Sequence, residues 1–184
     1  MKHNTAFLTD LKKIRDDARK HLTKGPVTEN YHLNLATVIE LLNGALATEL
    51  ICYLRYNKHH YKAAALGASV AASEFLEHAN QENLHANQLA ARIVQLGGDP
   101  NFSPHGLSER AHAEYVECET VECMVKENLV AERIAIDIYR EMINYIGNAD
   151  PTTRKLLEDI LAVEEEHADD LLDVAAEYDI KFED

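Results

Sequence analysis

Four long segments of the sequence repeat apolar residues at alternating three- and four-residue steps, which is the spacing of one face of an α-helix. We predict long helices over residues 33–65, 68–96, 111–146 and 151–178. At about 30 residues, each would be roughly 45 Å long. A shorter amphipathic helix is predicted over residues 5–23, and no strand-like alternation is visible. The sequence therefore predicts an all-α fold.

The connections between these segments indicate how the helices are arranged. In chain order the helix over residues 5–23 is the first of five. Few residues separate the second helix (33–65) from the third (68–96), or the fourth (111–146) from the fifth (151–178), so each pair is predicted to be antiparallel. Gly147 suits a helix C-cap, Asp150 an N-cap and Pro151 a first helical position. Residues 97–110 are longer and, when extended, reach roughly 45–50 Å, the length of one helix. We predict a four-helix bundle with one long crossover over residues 31–184, preceded by a basic helical arm over residues 1–30.

Each long apolar stripe is interrupted near its middle by Glu, or by Glu and His. The interruptions, in chain order, are Glu49, Glu82 with His85, Glu132, and Glu164 with His167. Their spacing repeats, because 33 residues separate Glu49 from Glu82 and 32 separate Glu132 from Glu164. Tyr56 and Tyr139 each follow the first Glu of their half by seven residues. The two halves of the chain thus carry the same pattern, a Glu helix followed by a Glu-x-x-His helix.

The interruptions have two interpretations. In the first, each helix is rolled so that its charged residues face water. Against this stand six such residues in register on four helices, with Glu and His sharing one face in each Glu-x-x-His. If the stripes are buried instead, each unpaired ion costs several kcal/mol. Two divalent metals would balance four carboxylates, and two neutral imidazoles would complete the ligand set.

Mixed carboxylate and imidazole ligands suit iron or manganese better than calcium or magnesium. We therefore predict two iron ions per subunit, with manganese as the alternative. One Glu from each of two helices and Glu-x-x-His from the other two is the pattern of di-iron carboxylate bundles. In that pattern Glu82 and Glu164 bridge the metals, Glu49 and Glu132 are terminal ligands, and His85 and His167 bind one metal each.

Four stretches carry a resemblance to a known family: LNGALATELICYLRY, HANQENLHA, NLVAERIAIDIYREM and ADPTTRKLLEDILAVEEEHADDL. Over about residues 33–178 the chain resembles the bacterioferritin branch of the ferritin-like superfamily. The resemblance implies a ferroxidase that oxidises Fe²⁺ with O₂ or H₂O₂. It also implies self-association into a hollow shell that stores or detoxifies iron.

Three departures from bacterioferritins qualify this resemblance. Those proteins carry a haem-ligating Met where this chain has Asn83, so we expect no haem. The chain ends soon after the fifth predicted helix and begins with an arm, which looks more like twelve-subunit, Dps-like mini-ferritins. The thiol-bearing relatives of those proteins have a Cys where this chain has Ile134. The expected shell therefore has either 12 or 24 subunits.

Two other functions are compatible with the pattern. A rubrerythrin-like peroxidase would use the same site, although the Cys-x-x-Cys pairs of its usual second domain are absent from the sequence. A DNA-protecting protein would use the basic arm, since residues 1–24 hold seven basic and three acidic residues in a chain of net charge −14. We rank DNA binding below docking of the arm on a neighbouring subunit. The acidic remainder of the chain suits a protein that attracts cations.

Localisation and several single residues complete the expectations. No signal-like segment and no membrane-length apolar run is visible, and Cys52, Cys118 and Cys123 fit no disulfide framework. We expect a reduced, cytoplasmic protein without a membrane segment. His59 and His60 are expected at the surface, with an iron entry path as the alternative. The alternatives for His78 are support of the ligands, a transient iron site or a structural role, and those for Tyr56 and Tyr139 are support of the ligands or core packing.

Overall fold

The computed structural model describes residues 10–182. Within that range the chain forms six α-helices and one short 3₁₀ turn, with no strand. The helices, in chain order, are α1 (Leu11–Asp17), α2 (Leu35–Ala65), α3 (Ser69–Gln95), α4 (Leu107–Arg110), α5 (Val121–Ile146) and α6 (Pro151–Glu177). The prediction of an all-α fold is confirmed.

The four long helices form two antiparallel pairs, α2 with α3 and α5 with α6, which also pack against each other through α2–α5 and α3–α6 contacts. The turn between α5 and α6 has the predicted capping residues. Gly147 adopts a positive φ of 53°, the Asp150 carboxylate accepts from the amide of Thr153 at 2.9 Å, and Pro151 is the first residue of α6. This turn fixes where α5 ends and α6 begins.

The fourth predicted helix begins ten residues too early. α5 starts at Val121, because the side chain of Thr120 caps it by accepting from the amide of Cys123 at 3.2 Å. The crossover before it is held in a largely non-helical path along α2. The His112 amide donates to Oγ1 of Thr48 at 2.9 Å, and the buried guanidinium of Arg55 donates to the Glu114 carbonyl, also at 2.9 Å. These tertiary contacts replace the helical hydrogen bonds that the periodicity predicted.

The predicted first helix is also too long. α1 begins after Asp10, whose carboxylate accepts from the amide of Lys13 at 2.8 Å, and it ends at Asp17. His21 has a positive φ of 50°, which an α-helix does not allow, and a 3₁₀ turn at Leu22–Lys24 follows. The part of the prediction that falls on residues 5–9 lies outside the described residues. α1 has no buried residue, so it adds nothing to the bundle core, whereas Val27 farther along the arm packs against the core.

A buried ion pair connects the end of α3 to the start of α6. The Arg92 guanidinium donates to both carboxylate oxygens of Asp150, at 2.9 and 3.0 Å, and to Oγ1 of Thr153 at 2.8 Å. The Tyr31 hydroxyl donates to the same carboxylate at 3.1 Å. Because Asp150 also caps α6, this network fixes the start of α6 relative to the end of α3.

One helix passes a length-and-composition test for a membrane span, namely α2 (Leu35–Ala65). Half of its most apolar stretch is buried inside the bundle. Its buried face also carries Glu49 and Arg55. The core helix of a bundle passes the same test, so we regard this as weak evidence for a membrane segment.

Two apolar clusters fill the bundle, one toward each end. The first includes Tyr56, Phe75, Val125 and Leu171. The second includes Leu42, Leu89, Met142 and Ile160. The midpoint of each long helix lies between the two clusters, and there all four helices present polar side chains to the interior.

Candidate metal centre

The six residues singled out from the sequence all lie at this midpoint. Their relative exposure ranges only from 0 to 3%, so the alternative that the helices expose them is excluded. α2 contributes Glu49, α3 contributes Glu82 and His85, α5 contributes Glu132, and α6 contributes Glu164 and His167. Helical periodicity placed them on the apolar stripes, and packing those stripes together brings them to one place.

The six side chains divide into two overlapping groups of four. Glu49, Glu82, His85 and Glu164 have donor atoms within 4.8 Å of one another, and so do Glu82, Glu132, Glu164 and His167. Both groups contain Glu82 and Glu164, the two residues that the sequence pattern predicts to bridge. Each group adds one Glu and one His of its own. This arrangement suits two adjacent metals that share two carboxylates.

The histidines point a ring nitrogen into their groups. Nδ1 of His85 lies 2.8 Å from Glu164 Oε1 and 3.3 Å from Glu49 Oε2. Nδ1 of His167 lies between 3.6 and 3.8 Å from oxygens of Glu82, Glu132 and Glu164. The spacing around His167 is too long for hydrogen bonds but suits atoms that surround one cation.

Two tyrosines support the terminal carboxylates across the bundle. The Tyr56 hydroxyl, on α2, donates to Oε1 of Glu132 on α5, and the Tyr139 hydroxyl, on α5, donates to Oε1 of Glu49 on α2. Each tyrosine is at most 1% exposed. Of the two alternatives for these tyrosines, the contacts favour support of the ligands. A hydrogen bond of this kind fixes the orientation of a carboxylate that binds metal.

Gln81 is a further supporting residue that the sequence interpretation missed. Its side-chain oxygen accepts from Nε2 of His167 at 2.6 Å, which leaves Nδ1 as the nitrogen that faces the carboxylates. Gln81 immediately precedes Glu82, so its side chain is rotated about 100° from the stripe. A search for residues on the stripe cannot find it; only the packing of α3 against α6 reveals the contact.

Protons compensate the buried charge of the site when metal is absent. Burial, together with the charges of Glu164 and Glu49, raises the pKa of Glu82 well above its ordinary value. Burial and the charge of Glu49 raise the pKa of Glu164 to about 7. Burial opposes protonation of the imidazoles, but nearby carboxylates outweigh it and raise the pKa of His85 to about 9 and that of His167 to about 10. These protons offset the negative charge that divalent cations would otherwise offset.

Several buried atoms of the site have unused bonding capacity. Among the described residues, Oε1 of Glu82, Oε2 of Glu132 and Nδ1 of His167 have no hydrogen-bond partner. Buried polar atoms without partners cost about 1–3 kcal/mol each. Metal ligation would satisfy them, so the donor set fits two metals. A set of carboxylates and imidazoles favours iron or manganese.

Two smaller expectations about histidine and cysteine are wrong. His59 is fully buried and its Nδ1 lies 3.1 Å from Asn128 Oδ1, while the partly buried His60 hydrogen-bonds the Ala72 carbonyl through Nδ1 at 2.7 Å. His59 is therefore not the expected surface residue, whereas His60 remains partly exposed. Cys118 and Cys123 form a disulfide where none was predicted, because the crossover and the start of α5 bring their Cα atoms to 5.5 Å. Cys52 is a free, buried thiol.

Arg55 is the charged core residue that the sequence interpretation overlooked. It is 1% exposed, and its Nε donates to Oδ1 of Asn128 at 3.0 Å. The position lies three residues after Cys52 on α2, so helical spacing contained a signal for burial. Its function is structural, because it connects α2 to α5 and to the crossover rather than to the carboxylates.

The fold and the candidate centre define a four-helix bundle whose candidate metal ligands come from all four long helices. Residues 39–179 match the model of the ferritin family, described as a ferritin-like domain. The chain belongs to this family.

Individual relatives agree with this assignment. The chain is 32% identical to the bacterioferritin of Rhodobacter capsulatus over 148 residues, which cover 78% of this chain and 86% of that protein. It is 33% identical to a DNA protection during starvation protein of Pyrococcus furiosus over 148 residues, covering 77% of this chain and 78% of that one. The predicted relation to the bacterioferritin and Dps-like branch is therefore confirmed.

Two solved structures are similar in fold. A bacterioferritin-related protein of Bacteroides fragilis, described as a dodecameric thioferritin, superposes with a TM-score of 0.73 at 32% identity and covers 79% of this chain and 88% of its own. The bacterioferritin of Rhodobacter capsulatus, described with a metal-free dinuclear site and a haem iron, gives a TM-score of 0.68 at 28% identity, covering 78% and 86%. The predicted ferritin-like bundle is confirmed.

Proposed function

We propose that this protein is a ferroxidase, which oxidises Fe²⁺ to Fe³⁺ at a dinuclear site inside each subunit and thereby stores or detoxifies iron. The observation that carries the proposal is the pair of overlapping four-residue groups that share Glu82 and Glu164. Membership of a family that includes bacterioferritins supports an iron-related role. We assign Glu49, Glu82, His85, Glu132, Glu164 and His167 as the residues that bind the iron.

The donor set explains why oxidation is favoured here. Four carboxylates balance the charge of two Fe²⁺ ions, whereas two Fe³⁺ ions carry two further positive charges, which oxide or hydroxide from solvent would meet. Anionic oxygen ligands stabilise the higher charge, so the site favours the product. Two Fe²⁺ ions together supply two electrons. That number reduces O₂ with two protons to H₂O₂, or H₂O₂ with two protons to two water molecules, without release of a one-electron radical.

The chain's own residues position the substrate iron. Tyr56 and Tyr139 orient the carboxylates of Glu132 and Glu49, and Gln81 orients His167. The two apolar clusters on either side of the centre exclude bulk water from it. As metal binds, Glu82, Glu164 and the two histidines release the protons that they hold because their pKa values are raised. Metal binding is therefore coupled to proton release.

Self-association belongs to the same proposal. A relative of similar fold is described as dodecameric, which supports a shell of 12 subunits. A shell of 24 subunits is the alternative that the sequence resemblance implies. A hollow shell would retain the ferric product. The mass of the intact assembly distinguishes these sizes, and a monomer or a dimer would contradict storage inside a shell.

DNA protection is the second candidate, because one relative carries that name. The described part of the arm gives it little support. Lys13 and Lys20 both contact the carboxylate of Asp17 at 2.6 Å, so their charges are partly offset. A gel-shift titration against salt tests this function. Retardation of DNA that persists at physiological ionic strength would favour it, since phosphate contacts weaken steeply with salt.

Rapid mixing of the metal-free protein with Fe²⁺ and O₂ tests the ferroxidase. We expect a fast phase that saturates near two Fe²⁺ per subunit. Glu82→Ala or Glu164→Ala should abolish it, because losing a shared carboxylate separates the metals as well as weakening their binding. Glu165→Ala is the matched control, since Glu165 adjoins Glu164 on α6 but is exposed. Equal loss in all three variants, or no saturable fast phase in the unmodified protein, would contradict the assignment.

A further inference from the structure

A second cluster of metal-binding side chains lies beside the candidate centre. Glu74 and His78 are one turn apart on α3, and Asp170 faces them from α6; their donor atoms lie within 4.8 Å of one another. The His78 side chain is fully buried, whereas those of Glu74 and Asp170 are 27% and 41% exposed. The cluster therefore has a buried imidazole at its base and two carboxylates at its rim.

The separations in this cluster resemble those around a bound cation. Nε2 of His78 lies 3.2 Å from Glu74 Oε1 and 3.5 Å from Asp170 Oδ2, yet it forms no hydrogen bond with any described residue. Ligand atoms bound to one tetrahedral metal at about 2.0–2.1 Å are about 3.3 Å apart. The three side chains therefore need little movement to enclose a metal ion.

A contact of Nδ1 with Tyr56 holds the His78 ring in the orientation that metal binding requires. Tyr56 uses its single hydroxyl proton in its bond to Glu132, so its oxygen is free to accept from Nδ1 of His78, 3.2 Å away. With Nδ1 as the donor, Nε2 is the nitrogen that presents a lone pair to the carboxylates. A second ring nitrogen that donates to a neighbour is characteristic of metal-binding histidines.

The surroundings of the cluster are acidic, and the protonated His167 imidazole beside His78 only partly offsets their charge, because the pKa of Glu74 is still raised. The surface groove above His78 is lined by Glu74, Asp170, Asp173 and Glu177, together with Val70 and Val174, and none of these described residues is basic. Burial, followed by the charge of Asp170, raises the pKa of Glu74. A divalent cation would offset the repulsion among these carboxylates.

We propose that Glu74, His78 and Asp170 form a third metal site, which binds one divalent first-row transition cation at the outer end of the candidate centre. One imidazole and two carboxylates leave at least one coordination position for water, which suits a site that a metal can enter and leave. This proposal concerns binding and does not depend on oxidation at the centre.

The position of the site gives it a role if the proposed ferroxidase function is correct. The His78 ring stacks on that of His167 with their centroids 4.0 Å apart, and a donor atom of His78 lies within 4.8 Å of donors of Glu132 and His167. An Fe²⁺ ion held in the groove would therefore be adjacent to the centre. The third site would then be a stage through which Fe²⁺ passes to the centre.

Binding of Zn²⁺ tests the third site, because Zn²⁺ has no redox chemistry and accepts the same donors. Isothermal titration of the metal-free, assembled protein should give three Zn²⁺ per subunit. Asp170→Asn and Glu74→Gln should each lower that number to two. Asp169→Asn is the matched control, since it removes the same charge from the adjacent, exposed position on α6 and should leave three.

Several results would overturn the proposal. One is binding of only two Zn²⁺ per subunit by the unmodified protein, and another is binding of three by both Asp170→Asn and Glu74→Gln. A third is an equal loss of bound Zn²⁺ in Asp169→Asn, which would indicate only a general acidic surface. Anomalous diffraction from crystals grown with Zn²⁺ should place one ion between the three side chains. An empty position there, with the centre occupied, would equally contradict the site.

Rapid-mixing measurements separate this proposal from the ferroxidase. If the third site supplies the centre, Asp170→Asn should slow the fast phase at low Fe²⁺ without changing its saturation near two Fe²⁺ per subunit. If the unmodified protein shows no fast phase while Asp170→Asn still loses one Zn²⁺, the ferroxidase fails and the third site stands. If the fast phase is present and the Zn²⁺ number is two throughout, the third site fails and the ferroxidase stands.

Discussion

The hydroxyl of Tyr56 on α2 donates to the carboxylate of Glu132 on α5, and the same contact recurs in reverse between Tyr139 on α5 and Glu49 on α2. Each Glu helix therefore orients the metal-facing carboxylate of the other. The reciprocal contacts follow from the sequence repeat, in which a Tyr follows each of these Glu residues by seven positions. The two tyrosines connect the halves of the bundle directly at the candidate centre.

Removing one of these hydroxyls should weaken metal binding without unfolding the protein. Tyr56→Phe and Tyr139→Phe each retain the ring but release one carboxylate oxygen, so we expect affinity for Mn²⁺ to fall roughly 10–100-fold. Tyr61→Phe is the control, because Tyr61 lies on α2 and is 70% exposed. Isothermal titration of the metal-free proteins measures the effect. Unchanged affinity in both tyrosine variants would show that these residues only fill the core.

Gln81 should matter through its contact with His167. Gln81→Leu keeps a side chain of similar size but removes the acceptor that holds Nε2, so His167 loses its fixed orientation. We expect weaker Mn²⁺ binding, again by about 10-fold or more. Gln88→Leu, seven residues later on α3 and exposed, should bind Mn²⁺ like the unmodified protein. If both variants bind equally well, the contact has no role in orienting the ligand.

Metal should raise the melting temperature of the protein, because it binds the folded state and relieves the repulsion among four buried carboxylates. Thermal unfolding followed by circular dichroism, with a chelator or with Mn²⁺ in excess, measures the shift. The Glu82→Ala variant should respond much less than the unmodified protein. Identical melting temperatures with and without metal in the unmodified protein would contradict the assignment of the centre.

The effect of metal on stability should grow as the pH rises above 7. The folded-state pKa values of Glu164 (about 7), His85 (about 9) and His167 (about 10) all exceed their ordinary values of 4.5 and 6.5. A group whose pKa is raised by folding stabilises the folded state at pH values below its unfolded-state pKa. This stabilisation is lost as the pH rises through its folded-state pKa. Glu132, with a pKa lowered to about 2, acts oppositely, but its contribution is already complete above about pH 5.

We therefore expect the metal-free protein to melt at progressively lower temperature between about pH 7 and pH 9. The metal-loaded protein should change less, because the cations occupy the place of the lost protons. Thermal unfolding at several pH values, with chelator and with Mn²⁺, measures both trends. A metal-free melting temperature that stays constant or rises over this interval would show that the site holds no such protons.

The ion pair of Arg92 and Asp150 should be important for stability but not for metal binding. Arg92→Met leaves the Asp150 carboxylate buried without its cation, which costs about 3–5 kcal/mol. Arg140→Met, which breaks the exposed contact with Glu165, should cost less than about 1 kcal/mol. Chemical denaturation at fixed protein concentration compares the two. Equal stability of the two variants would mean that the buried pair does not hold α6 against α3.

The sequence alone predicted the four long helices and the positions of the six candidate ligands. Apolar periodicity locates a helix face whatever that face packs against, so Glu49, Glu82, Glu132 and Glu164 could be placed on the inner stripes before any partner was known. The same local logic predicted the caps at Gly147 and Asp150. Where the chain has strong local preferences of this kind, the tertiary structure agrees with them to within about two residues.

The tertiary structure decided what depends on contacts between distant parts of the chain. Arg55 and Thr48 hold the crossover in a non-helical path, so residues 111–120 do not continue α5. The disulfide of Cys118 and Cys123, the burial of His59, and the contact of Gln81 with His167 likewise follow from the packing of particular side chains. His78 shows the same dependence, since its sequence position left three alternatives and only Tyr56, Glu74 and Asp170 around its ring favour a metal site. Periodicity indicates which face of a helix is buried, but it does not indicate which atoms of another helix that face contacts.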